Sequence, residues 1–233
     1  MSKFWRRLEL GNFLIAIDGP AGSGKSTIAR LLSERLGFNH LDTGAMYRAV
    51  AVYLDSKGFT PESVPEEELE KIDVQYIDNE LYLNGERVRE EDIRSARAGQ
   101  LASSFAVVPK VREKLTQLQR KICERGNFVV EGRDIGTVVL PYAQVKIFLT
   151  ASFEERVKRR AEELKSKGIE LSLEEVARQI EERDKRDSSR NLAPLKPAED
   201  AIVIDTTAKS IERVLEEVIE VIDRRKTNEA VRC

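Results

Sequence analysis

The sequence predicts an α/β protein built on a parallel β-sheet, and two observations support this. Short runs typical of strands, most of them apolar, alternate along the chain with longer segments in which apolar residues recur at helical spacing. A glycine-rich loop separates the first apolar run from the first helical pattern. Strands that alternate with helices place their carboxyl ends at one edge of a sheet, so we expect the functional residues there.

The first half of this sheet is predicted from residues 13–57. Residues 13–17 form an apolar strand, and the helical pattern after the loop ends at Gly37, a residue typical of helix C-termini. A second strand at 38–41 precedes another helical pattern, and Thr43 is expected to cap that helix.

Residues 58–94 predict a small antiparallel insertion. Residues 74–77 and 81–83 alternate in the manner of strands, and Asn84-Gly85 is a strong hairpin signal. The alternative is an excursion with a purely structural role.

The rest of the chain returns to helices and strands. A helical pattern at 93–105 is followed by a helix with Pro109 in its first turn and its end at Gly126. Strands are predicted at 128–130, 145–149 and 201–204, and a last helix at 210–224. Capping-box patterns at Ser152 and Ser172 begin two charged helices that could form a mobile lid.

We therefore expect three parts. Residues 1–57 and 95–226 form the core, which includes a lid at about 156–190; residues 58–94 form the insertion, and residues 227–233 a flexible tail.

The glycine-rich loop reads Gly19-Pro20-Ala21-Gly22-Ser23-Gly24-Lys25-Ser26 and has the spacing of a phosphate-binding P-loop. Glycines let backbone N–H groups approach phosphate oxygens, Lys25 can reach the β- and γ-phosphates, and the Ser26 hydroxyl can bind Mg²⁺. A dinucleotide-binding loop is disfavoured because its glycines have a different spacing. A chance glycine-rich turn is the other alternative.

Two charged motifs complete the chemistry. Glu131-Gly132-Arg133-Asp134 follows a predicted strand, and Glu131 is placed to orient Mg²⁺ through water, although a salt-bridged structural turn would look similar. Two helices carry arginine sets that are either solvated surface or a source of positive charge for phosphoryl transfer. The sets are Arg156, Arg159 and Arg160, and Arg183, Arg186 and Arg190.

Composition excludes several classes. Charged residues make up 34% of the chain but leave a net charge of −2, which argues against general binding to nucleic acid or to anionic membranes. Two cysteines and one histidine, His40, do not indicate a disulfide framework or a multi-histidine metal site, and we expect His40 to be structural. With no long apolar stretch or exposed apolar seam, we expect a cytoplasmic monomer.

From the P-loop to the last helix, residues 13–225, the chain resembles the bacterial cytidylate kinase family of P-loop nucleoside monophosphate kinases. The motifs that carry the resemblance are Ile17-Asp18-Gly19-Pro20, Leu41-Asp42-Thr43-Gly44-Ala45-Met46-Tyr47-Arg48, Gly132-Arg133-Asp134-Ile135-Gly136-Thr137-Val138-Val139, Val145-Lys146-Ile147-Phe148-Leu149 and Glu182-Arg183-Asp184-Lys185-Arg186-Asp187. Glu131 stands where many members have aspartate.

The resemblance implies a P-loop kinase fold with a five-stranded parallel sheet, a β insertion that binds the nucleoside monophosphate, and Mg²⁺-dependent phosphoryl transfer from ATP to CMP or dCMP. ATP would contact Gly19, Pro20, Ala21, Gly22, Ser23, Gly24, Lys25, Ser26, Thr27 and Arg159. CMP would contact Thr43, Arg48, Ser103, Arg112, Arg133, Asp134, Arg183, Asp187 and Arg190. Lys25, Arg133, Asp134, Arg183 and Arg190 would be catalytic.

Roles within the CMP set also follow from the resemblance. Ser103, Arg133 and Asp134 would read cytosine and ribose or support the residues that do. Arg48, Arg112 and Arg190 would hold the acceptor phosphate.

Other readings remain open. The nearest is another small-molecule P-loop kinase, such as an adenylate or shikimate kinase. A P-loop switch or nucleic-acid-dependent NTPase would need a guanine-reading Asn-Lys-x-Asp motif, which is absent, or a basic surface, which the charge balance does not provide.

Overall fold

The computed structural model describes residues 12–77, 80–166, 168–190 and 192–230. Its strands are β1 Leu14–Asp18, β2 Asn39–Asp42, β3 Val74–Ile77, β4 Glu80–Leu83, β5 Glu86–Arg87, β6 Phe128–Gly132, β7 Val145–Thr150 and β8 Ile202–Asp205. Its α-helices are α1 Lys25–Leu36, α2 Thr43–Ser56, α3 Glu66–Glu70, α4 Glu90–Ile93, α5 Ala96–Phe105, α6 Pro109–Ile122, α7 Phe153–Ser166, α8 Leu173–Ser188 and α9 Ile211–Ala230. A π-helical turn spans Ile135–Val139.

The predicted fold class is confirmed. A five-stranded parallel sheet has the order β2-β6-β1-β7-β8, and a separate sheet has the antiparallel order β3-β4-β5. Every residue of β1 is buried, and Ile17 of β1 pairs with Ile147 of β7. Such continuous apolar strands are expected where helices flank a parallel sheet.

The chain divides into two compact units. One contains residues 39–128, and the other contains residues 13–38 together with the segment from Val129 onward. The predicted insertion at 58–94 contains the antiparallel sheet and lies within the first unit, which also includes β2, α2, α5 and α6.

In the first unit, α2 packs against α5, and both helices bury apolar side chains, among them Met46, Leu54 and Phe105. The β4–β5 hairpin turns at Asn84 and Gly85, which both have positive φ angles, 53° and 82°. Two successive left-handed residues define the turn that Asn-Gly favours, so the hairpin prediction is confirmed.

In the second unit, α7 and α8 pack through an apolar cluster of Val157, Leu164, Val176 and Ile180. The Ser172 hydroxyl accepts a hydrogen bond from the Glu175 N–H, and the Glu175 carboxylate accepts one from the Ser172 N–H. The predicted capping box therefore begins α8.

Four predicted boundaries were wrong. Asp42, not Thr43, caps α2, since its carboxylate accepts the Ala45 N–H at 2.9 Å. The helical pattern at 93–105 is two helices, because Ser95 caps a new one. Helix α6 ends at Ile122, before Gly126, and α9 continues to Ala230, so the tail predicted at 227–233 begins inside a helix. Residues 231–233 lie outside the described residues.

Candidate active site

The P-loop joins the buried end of β1 to the start of α1. Gly19 must be glycine because a Cβ there would lie 2.0 Å from the Leu149 carbonyl oxygen. Gly22 and Gly24 have φ angles of 75° and 89°, in the left-handed region that glycine tolerates. The loop thus leads into the N-terminus of α1, where free N–H groups and the helix dipole favour an anion.

Lys25 lies inside this loop with only 6% of its surface exposed. Its ammonium donates hydrogen bonds to the Pro20 carbonyl at 2.7 Å and the Ser23 hydroxyl at 3.4 Å. Burial, and then the positive charge of Arg133, lower the pKa of Lys25 well below its usual value. Phosphate oxygens in the loop would supply the negative charge that favours the protonated amine.

Ser26 and Glu131 meet beside the loop. The Ser26 hydroxyl donates to Glu131 Oε2 at 2.6 Å, and Glu131 is 3% exposed. A hydroxyl and a carboxylate are hard oxygen ligands, and Mg²⁺ in phosphoryl-transfer sites is bound by one or two such protein groups together with phosphates and water. The residues present therefore fit the predicted magnesium site.

The second unit also gathers the predicted arginines around Asp187, which is 1% exposed. Arg133 Nε donates to Asp187 at 3.0 Å, Arg190 pairs with the other carboxylate oxygen, and Arg183 lies at 3.9 Å. Burial alone would raise the pKa of Asp187, but the charges of Arg133, Arg190 and Arg183 hold it below its usual value. A carboxylate that orients three guanidinium groups can present them to a phosphate.

Arg156 connects the first turn of α7 to the P-loop. Its guanidinium donates to the Ala21 carbonyl at 3.2 Å and to Asp184 of α8 at 2.5 Å. The sequence left Arg156 either on a solvated surface or as a source of positive charge for phosphoryl transfer, and its hydrogen bonds join α7 and α8 to the loop. Asp184 was missed as its partner, because alternating charges along a helix do not reveal which neighbour each one meets.

A cavity of about 560 Å³ adjoins the loop. Arg159 lies in its wall, where Glu155 accepts from its Nε at 2.9 Å and the Thr206 hydroxyl and carbonyl accept from its other nitrogens at 2.9 and 2.7 Å. The volume suits a nucleoside. Sequence analysis missed Thr206, since nothing in the local pattern distinguishes it from other residues after a strand.

The remaining lining residues come from the P-loop, α1, α7, and the start of α9 with the two residues before it. They are Gly22, Ser23, Gly24, Thr27, Ile28, Lys158, Glu162, Lys209, Ser210, Ile211, Glu212 and Val214.

The first unit contains the other four predicted CMP ligands. Arg48 pairs with Asp42 at 3.0 Å, and Arg112 lies 5.7 Å from the Tyr47 ring centroid. Thr43 is the first residue of α2, and the Ser103 hydroxyl is buried without a hydrogen-bond partner among the residues described. A buried hydroxyl without a partner is unfavourable in the empty protein and available to a ligand.

Asp42 anchors this group. Burial opposes its ionisation, but Arg48 and the Ala45 N–H hold its pKa below the usual value. The position of the Arg48 guanidinium therefore depends on the residue that caps its helix. His40 lies on β2 and is partly exposed.

Comparisons with known proteins identify the family of this chain. The family model described as cytidylate kinase matches residues 15–224. The chain belongs to the cytidylate kinase family. A cytidylate kinase from Pseudothermotoga lettingae is 62% identical over 93% of this chain and 96% of its own length, and one from Thermotoga neapolitana is 58% identical over 91% and 98%.

Two solved structures at 14–15% identity show a likeness of fold alone. An uncharacterised protein from Eubacterium ventriosum has a TM-score of 0.53 at 15% identity and covers 92% of this chain and 99% of its own. A gluconokinase from Sinorhizobium meliloti has a TM-score of 0.50 at 14% identity, with coverages of 95% and 97%. Within the described residues of this cytidylate kinase family member, no helix is long and apolar enough to span a membrane.

Proposed function

We propose that this chain transfers the γ-phosphoryl group of ATP to CMP or dCMP. The observation that carries the proposal is that one compact unit holds both the P-loop with its buried Lys25 and the arginine cluster around Asp187. The identity of 62% to a protein named cytidylate kinase supports the choice of CMP as acceptor.

The donor residues would act mainly by position and charge. The α1 N-terminus and Lys25 would hold the β- and γ-phosphates, and the cavity beside Arg159 would take the nucleoside of ATP. In the structure the Lys25 ammonium donates a hydrogen bond to the Pro20 carbonyl oxygen. A bound phosphate would replace this hydrogen bond with a stronger one between opposite charges.

Ser26 and Glu131 would hold Mg²⁺, Glu131 through water. When bound, Mg²⁺ would neutralise phosphate charge. The buried Glu131 carboxylate already lies beside the loop, and the Ser26 hydroxyl donates a hydrogen bond to it.

We propose that nine residues bind CMP. They are Thr43, Arg48, Ser103, Arg112, Arg133, Asp134, Arg183, Asp187 and Arg190. No general base is needed, since the acceptor phosphate is already an anionic nucleophile. The arginines would stabilise the charge that spreads over the migrating group.

Cytosine would be selected by hydrogen bonds that uracil cannot make, because uracil has a carbonyl where cytosine has an amino group and a proton on N3. Leaving one buried polar group unpaired costs about 1–3 kcal/mol, a preference of roughly 5- to 150-fold. We include in the proposal that helices α7 and α8 form a lid that excludes water, and that the protein acts as a monomer in the cytoplasm.

The test is ADP release, measured with a coupled assay in the presence of Mg²⁺ and ATP, across CMP, dCMP, UMP, AMP, GMP and shikimate. We expect CMP and dCMP to be used best and UMP poorly. A strong preference for AMP or shikimate, or hydrolysis of ATP that no acceptor stimulates, would contradict the proposal.

A further inference from the structure

Asp18 ends β1 immediately before the P-loop and binds a segment far along the chain. Only 4% of its surface is exposed. Its Oδ1 accepts the Ile135 N–H at 2.8 Å, and its Oδ2 accepts the Gly136 N–H at 2.7 Å. Both oxygens of one buried carboxylate therefore hold two consecutive backbone amides.

These amides begin the π-helical turn that directly follows Arg133 and Asp134. The turn's own hydrogen bonds start later, with the Val138 and Val139 N–H groups donating to the Asp134 carbonyl at 2.8 and 3.1 Å. The first N–H groups of any helical turn need an acceptor from outside it. Asp18 supplies that acceptor for both, so it determines where the chain leaves Asp134.

The neighbouring residues leave room for this contact. Gly136 has no side chain, and a Cβ there would lie 3.2 Å from Lys146 Cδ and 3.4 Å from Asp18 Oδ2. A Cβ at 136 would therefore crowd the Lys146 side chain by a few tenths of an ångström, while its distance to the carboxylate would be an ordinary contact.

A carboxylate is chemically required at this position. It accepts through both oxygens, whereas asparagine has one acceptor oxygen and turns an N–H₂ group toward the second amide. Burial raises the pKa of Asp18 to about 6, against the two amides, which lower it. The charge of Asp134 also raises the pKa of Asp18, and the charge of Lys25 lowers it. Lys146 of β7 is another charged residue near this contact, and its side chain lies beside Gly136.

We propose that Asp18 is a positioning residue that fixes the Arg133–Asp134 segment relative to the P-loop, and so sets the acceptor-side groups against Lys25. This inference rests on the proposed function. Arg133 in turn donates to Asp187, so a shift of the turn would move the arginine cluster as well. A displacement of about 1 Å in a positioning group can cost on the order of 10²-fold in rate.

The contact itself can be tested without any activity. In the protein without nucleotide, the ¹H–¹⁵N shifts of Ile135 and Gly136 should titrate together with a midpoint near about 6, the pKa of Asp18. In Asp18→Asn this titration should disappear while shifts near other carboxylates persist. Ile135 and Gly136 amides that titrate equally in the wild-type protein and in Asp18→Asn would overturn the proposal.

Kinetics then test the role. For Asp18→Asn we expect kcat/KM for CMP to fall about tenfold or more, since one amide loses its acceptor, with the dissociation constant of a non-hydrolysable ATP analogue changed less than about threefold. Asp223→Asn, which alters an exposed carboxylate on α9, is the matched control and should behave as wild type.

The pH profile separates positioning from a general structural defect. In the wild-type protein, kcat/KM should fall as the pH drops through about 6, and this fall should exceed the part that protonation of the substrate phosphates causes. In Asp18→Asn, only the part caused by the substrate phosphates should remain. CMP kinetics unchanged by the substitution, or donor and acceptor affinities reduced equally, would overturn the role. A wild-type protein that does not use CMP would refute the proposed function, while the amide titration would still report the contact.

Discussion

At the scale of single residues, the site depends on charges that are buried before any ligand arrives. Lys25 is held by a carbonyl, and Asp187 is held by arginines. The sequence predicted these participants because P-loop chemistry requires a lysine at that spacing and arginines three and seven apart share a helix face. It did not predict Asp42 as a cap, since Asp and Thr both cap helices and the choice depends on where the backbone leaves β2.

Lys25→Ala should lower kcat by about 10²- to 10³-fold, because it removes a preorganised positive group from the transferred phosphate. Steady-state kinetics at saturating CMP would measure this. Lys165→Ala, at an exposed position in the last turn of α7, is the control and should leave kcat unchanged. A loss of less than about threefold would place Lys25 outside the chemistry.

Asp187→Asn should destabilise the protein by about 3 kcal/mol at neutral pH, because it leaves buried guanidinium groups without their counter-charge. The folded pKa of Asp187 lies below its unfolded value, 3.8. Its stabilisation is therefore complete above the unfolded value and is lost as pH falls through the folded one.

Urea unfolding of wild type and Asp187→Asn at pH 7 and at about pH 3 would show the difference shrinking in acid. Asp92→Asn, which breaks an exposed ion pair with Arg89, should change stability little at either pH. A difference between wild type and Asp187→Asn that grows on acidification would contradict the account.

At the scale of elements, local signals predicted types well and ends poorly. The capping box at Ser172 and Pro109 in the first turn of α6 are self-contained signals, and both were confirmed. The break between α4 and α5 was missed because apolar spacing continues across it, and only the Ser95 cap divides it. Helix α9 continues to Ala230, beyond the predicted end at residue 224, since polar residues also extend a helix that is already nucleated.

Three glycine-to-alanine substitutions separate backbone strain from crowding. Gly99→Ala, inside α5 with open space around it, should stabilise the protein by about 0.5–1 kcal/mol. Gly37→Ala, at φ 66° with open space, should cost about 1 kcal/mol. Gly22→Ala should cost more, since its Cβ would also lie 2.8 Å from the Arg156 carbonyl oxygen.

Urea unfolding of the three variants gives this ranking directly. If Gly22→Ala destabilised the protein no more than Gly37→Ala, the close contact between Gly22 of the P-loop and Arg156 of α7 would be contradicted.

At the scale of the whole molecule, alternating strands and helices determine the parallel sheet, and the five predicted strands were all found. The composition of the two units was not predicted, because the grouping of α2, α5 and α6 with the antiparallel sheet depends on contacts between segments distant in sequence. The same reason explains why Asp18, Asp184 and Thr206 were missed. Each acts through a partner more than 25 residues away.

A ligand that binds only the folded state should stabilise the entire chain. A non-hydrolysable ATP analogue with Mg²⁺, at 100 times its dissociation constant, should add about 2.7 kcal/mol to the free energy of unfolding. At the same analogue concentration, Lys25→Ala should show a much smaller gain. Equal stabilisation of both proteins would indicate that the analogue binds elsewhere.

The hydrogen bond from Ser26 to Glu131 has a consequence for what the P-loop can accept. A hydroxyl has a single proton, and Ser26 directs that proton to the Glu131 carboxylate. The oxygen therefore offers only lone pairs to anything else that approaches it. The Ser26 oxygen can therefore bind a cation, but it has no second hydrogen to donate to a phosphate oxygen. This side of the loop suits a metal ion, and anions are bound by the backbone N–H groups and Lys25.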